Sequence, residues 1–195
     1  MQTRKFSLAH LTLLAAPPPE LIRIAARTGY DFVGLRLIPL GLPGEVAYVP
    51  HEDAMMRRNI KAAIRDTGVQ VLDIELARII EAPGPDSYLP ALEMAAELGA
   101  KHVLSSVWMH DRHQVIERFA RLCEVAKPLG LTVNLEFVSS TEWNTLEGAL
   151  GSITQVAGFL YGSDMAFAFG KATSAPGQLP IQEARRTTEL LLRYS

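Results

Sequence analysis

Between Thr132 and Phe137 polar and apolar residues alternate. Thr132, Asn134 and Glu136 take one set of positions, and Val133, Leu135 and Phe137 the other. A period of two belongs to a strand with one buried face. The apolar set would pack under helices, so the polar set would look the other way and carry Glu136. "VQVLDIELA" repeats the pattern, with Asp73 and Glu75 opposite Leu72, Ile74 and Leu76. In "DFVGLRL" Arg36 stands against Leu35 and Leu37.

These strands recur in a fixed setting. In "AARTGYDFVGLRL", "AIRDTGVQVLDIEL", "AAELGAKHVLSSV", "AKPLGLTVNLEF" and "GFLYGSDMAFAF" a helical pattern ends, a glycine follows, and a β-rich run begins. Gly29, Gly68, Gly99, Gly130 and Gly162 lie 39, 31, 31 and 32 residues apart, one βα unit per repeat. Local signals start the helices: Pro18 and Pro19 before "ELIRIAART", Glu52 and Asp53 before "AMMRRNIKAAIRDTG", and Asp111 before "RHQVIERFARLCEVAKPLG". Pro128 ends or bends the last turn of that third helix. A first strand around Phe6 to Leu11 opens the series.

Repeated βα units give parallel strands with right-handed crossovers, closed into a barrel or open and doubly wound. A doubly wound dinucleotide binder carries a glycine-rich turn after its first strand, and here that turn reads "LLAAPPPE". The fold class expected is therefore α/β, a TIM-barrel-like (β/α) array. About six units are countable, against the eight of a full barrel of ~250 residues. The chain of 195 residues is expected to be one domain, 1–195, with 151–195 divergent or truncated.

Composition narrows the partners. A net charge of −2 gives no electrostatic reason for a nucleic-acid or anionic-membrane partner. No run approaches the ~20 apolar residues of a membrane helix. The N-terminus has a rough signal-peptide outline, but Ser7, His10 and Thr12 interrupt its apolar run and prolines follow its only Ala-Ala. It is read as a strand, and a cytoplasmic location is expected. The single cysteine, Cys123, falls in a helical pattern as a small core residue.

The polar strand positions gather near C-terminal strand ends, where barrels of this kind build active sites. Arg36, Asp73, Glu75 and Glu136 belong to the set, joined by His10 and by Ser106 or Trp108. One reading is an Arg36–Glu75–Asp73 ion-pair network that fills the barrel. The other is a convergent acidic pocket. Because no cation follows Glu136 on its own strand, a divalent ion would satisfy it, with magnesium or manganese favoured by hard oxygen ligands.

"KFSLAHLTLLAAPPPELIRIAARTGYDFVGLRL", "TGVQVLDIELARI" and "LEFVSSTEWNTLEGAL" resemble the sugar phosphate isomerase/epimerase family with the xylose isomerase-like TIM barrel, over about residues 5 to 150. The resemblance implies a metal-dependent enzyme that isomerises or epimerises small polyhydroxy carbonyl compounds. It implies a metal-ligand role for Glu136 and, from the six-residue spacing, a substrate-side role for Glu142, which is otherwise a solvated loop residue. Proton transfer next to a carbonyl needs a positioned base and stabilisation of the enediolate. Glu75 and Glu142 are the candidate catalytic carboxylates. Arg36, His10, Asp73 and Trp108 are the candidate substrate contacts, Arg36 toward a carboxylate or phosphate.

The family's remaining ligands, an Asp-x-x-His and a late glutamate, have no counterpart. Asp164 begins the sixth strand, and His10, His51, His102, His110 and His113 all lie upstream. "HDRH" can be a two-histidine metal site, or a helix start at Asp111. The loop "IPLGLPGEVAYVPHED" either covers the pocket or is a surface excursion. A six-stranded piece leaves two unpaired edges, so a homo-oligomer, or a C-terminal helix packed across the gap, is expected. Two readings stand: an isomerase-family enzyme on a small sugar-like substrate, or a non-catalytic, ligand-binding remnant of a barrel. The zinc-dependent apurinic-site endonucleases of the same superfamily rank last, since their histidine-rich cluster and basic surface are not evident.

Overall fold

A computed structural model describes residues 5–136 together with Val138, Thr141 and Trp143. The described strands are β1 (Ser7–Ala9), β2 (Phe32–Arg36), β3 (Gln70–Ile79), β4 (His102–Val107) and β5 (Thr132–Glu136). Between them run α1 (Pro18–Arg27), α2 (Ala54–Thr67), α3 (Leu89–Glu97) and α4 (Arg112–Ala126). All five strands are parallel and neighbour one another in chain order. That order is the start of a barrel; a doubly wound sheet reverses its strand order partway. The sixth strand, Gly162 and the C-terminal helix expected from the sequence lie outside the described residues.

Local chemistry sets the boundaries. α1 begins on Pro18 and Pro19, whose missing N–H groups cost nothing in a first turn. The Asp53 carboxylate accepts from the amides of Met55 and Met56, and Asp111 from those of His113 and Gln114, so both are N-caps. α4 ends at Ala126 and tightens into a 3-10 turn over Lys127–Leu129, where Pro128 forbids a further α-helical turn. Gly68 closes α2 with φ of 76°, a left-handed conformation that a Cβ would strain.

The helices cover one face of the sheet. Val33, Leu35, Ile74, Val103 and Leu135 point to it and are buried against Leu21, Ile22, Ile60, Leu92, Phe119 and Leu122. Each such side chain contributes roughly 1.5–3 kcal/mol on burial. Cys123 is part of this core, and burial pushes its thiol up to about 12, the inert cysteine expected from sequence. Among the described residues no helix is long and apolar enough to cross a membrane.

Cross-strand register assigns the other face. Gly34 pairs with Asp73 and Arg36 with Glu75; Asp73 pairs with His102, and Ser106 with Glu136. Partners in a parallel ladder share a face, so these residues line the inside of the curled sheet. Between Ile74 and Ala77 the β3 register slips by one residue against β4, and Arg78 rather than Ala77 then comes opposite Ser106. One expectation is corrected here. β1 stops at Ala9, and His10 opens a 3-10 turn reaching Leu13 instead of ending the strand. The turn leaves Leu11 and Leu13 exposed and buries the His10 ring completely.

Candidate active site at the strand C-termini

Arg36 and Glu75 form the centre of the inner face. The Arg36 guanidinium donates from one terminal nitrogen to Glu75 Oε2 at 3.3 Å, with the two side chains only 13% and 8% exposed. Each keeps one buried atom without a protein partner, Nε on Arg36 and Oε1 on Glu75. The ion pair proposed from sequence therefore exists, but it leaves both groups half satisfied.

Asp73 is not part of that pair. It lies one layer deeper, and its Oδ1 would be only 2.6 Å from a Cβ on Gly34. Gly34 is thus the residue that makes room for the carboxylate. Burial, reinforced by the Glu75 charge, pushes Asp73 up to about 6. Asp73, expected from sequence among the substrate contacts, thus sits against Gly34 below the Arg36–Glu75 pair. Glu136 is half-buried at the end of β5; burial and then the Glu75 charge raise its pKa. Beside these lie two further buried atoms without a protein partner, Nδ1 of His102 and Oδ1 of Asn134.

The His10 Nδ1 accepts the backbone N–H of Arg36 at 2.9 Å, and its Nε2 meets the carbonyl oxygen of Ala16 at 2.9 Å. An amide can only donate and a carbonyl only accept, so the proton sits on Nε2. Burial lowers the pKa and keeps the ring neutral. Both ring nitrogens are committed to backbone, so His10 holds the Arg36 backbone from its place in the strand-end rim. Trp108 is 45% exposed at the rim, and its indole N–H donates to the buried Ser106 Oγ at 2.7 Å. Glu142 lies outside the described residues.

The long loop after β2 is an ordered wall. Tyr48 stacks on His10 with ring centroids 5.5 Å apart and donates its hydroxyl to the carbonyl of Ala15 at 3.0 Å. Arg78 reaches over from β3 to donate to the carbonyl of Leu40 at 2.6 Å. The Glu45 carboxylate accepts from the amides of Leu40, Gly41 and Leu42 at 2.9, 2.7 and 3.2 Å. Burial opposes its charge, but these bonds together with nearby Arg36 outweigh that and hold the carboxyl below its usual range. Between loop and sheet is a cleft of about 300 Å³ with His10, Arg36, Leu42, Glu45, Val46 and Tyr48 in its lining. Glu45 and Tyr48 were not singled out from sequence; the glycines around "LGLPGE" were the available signal.

A divalent ion takes several hard ligands converging on one point. Among the described residues no group of three His, Cys, Asp or Glu side chains does so. Glu136 and Glu75 fall short of such a set, so the described residues do not by themselves fit a resident ion. The "HDRH" alternative resolves toward the helix start: Asp111 caps α4, and His113 is exposed beside Glu117 at 3.6 Å.

The parallel array and the polar rim define a barrel-type scaffold, and comparison with known proteins gives its family. Residues 22–161 match the family described as xylose isomerase-like TIM barrel, and the chain belongs to it. Residues 146–194 separately match the family described as type I 3-dehydroquinase. A 3-dehydroquinate dehydratase of Geobacillus kaustophilus is 27% identical over 171 residues, covering 75% of this chain. The chain spans 63% of that relative's length. Among solved structures, the 3-keto-D-glucoside 4-epimerase YcjR from E. coli aligns with a TM-score of 0.71 at 16% identity, over 97% of this chain and 76% of that one. A xylose isomerase-like TIM barrel protein from Mycobacterium smegmatis in complex with magnesium aligns with a TM-score of 0.64 at 16% identity, over 94% and 71%. These two likenesses establish the fold.

Proposed function

We propose that this chain is an enzyme that moves a proton next to the carbonyl of a small polyhydroxylated compound carrying a carboxylate. One observation carries the reading. The inner face presents buried acceptors without protein partners, Glu75 Oε1 and Asn134 Oδ1, beside a buried donor without one, Arg36 Nε. Buried polar groups left unpaired cost about 1–3 kcal/mol each. A hydroxyl-rich ligand supplies donors for the acceptors, and a carboxylate supplies an acceptor for the guanidinium.

The names of the relatives support the same class. A 3-dehydroquinate dehydratase and a 3-keto-glucoside epimerase both act on hydroxylated ketones, and both chemistries can begin by removing a proton beside the carbonyl. In the proposed step Glu75, whose Oε1 has no protein partner, takes that proton. Arg36 orients the substrate's anion, and Glu142 is the second proposed catalytic carboxylate. Trp108 covers the rim. Epimerisation returns the proton on the other face; dehydration expels a neighbouring hydroxyl instead. A magnesium or manganese ion beside Glu136 belongs to this reading only with ligands from beyond the described residues. Metal analysis of Glu136→Gln against the parent reads that directly.

The test is proton exchange in D2O followed by NMR, with 3-dehydroquinate as the carboxylate-bearing substrate and a neutral 3-keto-glucoside for comparison. Deuterium should enter beside the carbonyl, and Glu75→Gln should slow this by ~100-fold or more, the usual contribution of a positioned acid or base. No exchange of 3-dehydroquinate above the uncatalysed rate would overturn the proposal. The lack of a three-ligand cluster among the described residues favours a second reading, a ligand-binding protein without turnover. Saturable binding of these compounds with no exchange would select it.

A further inference from the structure

The amides of Leu40, Gly41 and Leu42 follow one another along the chain and converge on a single carboxylate. Gly41 has φ of 72°, and alternation of right- and left-handed residues turns successive N–H groups into one concavity. Such a nest binds anions generally. Its Leu42 end and the bound Glu45 lie in the lining of the cleft that also holds Arg36, whose buried Nε has no protein partner. We infer that the Leu40–Leu42 nest and Arg36 together form an oxyanion site, occupied in this structure by the chain's own Glu45 and opened to a carboxylate or phosphate when Glu45 leaves.

Three features make Glu45 a displaceable occupant and not a structural pin. The nest is anchored without it, because Arg78 holds the Leu40 carbonyl and Tyr48 ties the loop to Ala15. Glu45 is partly exposed, so its carboxylate can move to water without crossing the core. Its departure takes a negative charge away from Arg36, and an incoming anion then finds three amides already converging beside that guanidinium. Charge-assisted bonds of this kind are about twice as strong as neutral ones. The inference deepens the proposed function by naming what grips the substrate's anion, and it rests on that reading for the cleft being the substrate's.

Isothermal titration of inorganic phosphate and of malonate into the full chain tests it. Glu45→Gln and Glu45→Ala should bind at least one of the two anions tenfold or more tightly than the parent. Arg36→Gln in the Glu45→Gln background should abolish the gain. A gain with malonate alone assigns a carboxylate, and one with phosphate alone a phosphate ester. Amide hydrogen exchange at Gly41 and Leu42 in Glu45→Gln should slow at saturating anion. If both variants keep the parent's circular dichroism yet bind neither anion more tightly, or if those amides exchange unchanged, the site does not exist. Calorimetry requires no turnover, so anion binding in a protein that fails to exchange protons would uphold this inference and remove the proposed reaction.

Discussion

Replacing Asp73 by asparagine should stabilise the protein at neutral pH and flatten its pH dependence. Asp73 is pushed from 3.8 to about 6 by burial and then by the Glu75 charge. A raised carboxyl pKa means that the folded chain holds the proton more tightly than the unfolded chain. Between those two values the folded state binds more protons, so stability is highest below the window and falls as pH rises through it. A shift of about two units corresponds to ~3 kcal/mol, and the partial exposure of Asp73 brings the expected effect to ~1–3 kcal/mol at pH 7. Asparagine has nearly the same shape, so the contact over Gly34 survives while the ionisation is removed. Urea denaturation of parent and variant from pH 4.5 to 7.5 measures the difference. The two curves should converge toward the acid end and separate toward neutrality. An asparagine variant no more stable than the parent at pH 7, or a gap that does not change with pH, would refute the reasoning.

Gly34→Ala should destabilise by about 1–3 kcal/mol because its Cβ would meet Asp73 Oδ1 at 2.6 Å. The same change in an Asp73→Ser background should cost well under half as much in denaturant titrations. Asp53→Ala removes the cap of α2 and should cost about 1 kcal/mol by thermal melting, with no change in anion affinity. Tyr48→Phe keeps the stack on His10 but deletes the bond to Ala15, which should loosen the loop. Limited proteolysis between Leu40 and Val49 should then be several-fold faster, and an unchanged rate would show that the hydroxyl does not hold the wall.

The fold was legible where its signals are local. Asp53 and Asp111 cap helices through amides two and three residues on. Gly68 and Gly130 close a helix and a 3-10 turn through their own backbone angles. Alternation placed Arg36, Asp73, Glu75 and Glu136 on one face, and the register agrees. Beyond Glu75 strict alternation does not hold, because the slip between Ile74 and Ala77 brings Arg78 opposite Ser106. His10 was read as part of the first strand because nothing in the sequence says that β1 stops at Ala9, two residues before Leu11. Glu45 and Tyr48 could not be assigned, since what they do depends on distant chain; Tyr48 bonds to a carbonyl 33 residues away.

Arg36 connects these parts. His10 fixes its backbone, Glu75 takes one terminal nitrogen, and Glu45 faces it from the loop. The inner face and the loop together carry Glu45, Asp73, Glu75 and Glu136, while Arg78 spends a terminal nitrogen on the Leu40 carbonyl. A cleft with that balance repels an incoming anion as long as Glu45 stays in place. Once Glu45 swings out, the cleft offers a guanidinium and three amides to the anion, while the unsatisfied acceptors belong to the inner face on the other side of the Arg36–Glu75 pair. A neutral sugar would satisfy the acceptors but could not displace Glu45, and a simple anion would do the reverse. The compound that gains from both is a hydroxylated acid, so discrimination in this cleft follows from the coincidence of the two requirements on one arginine.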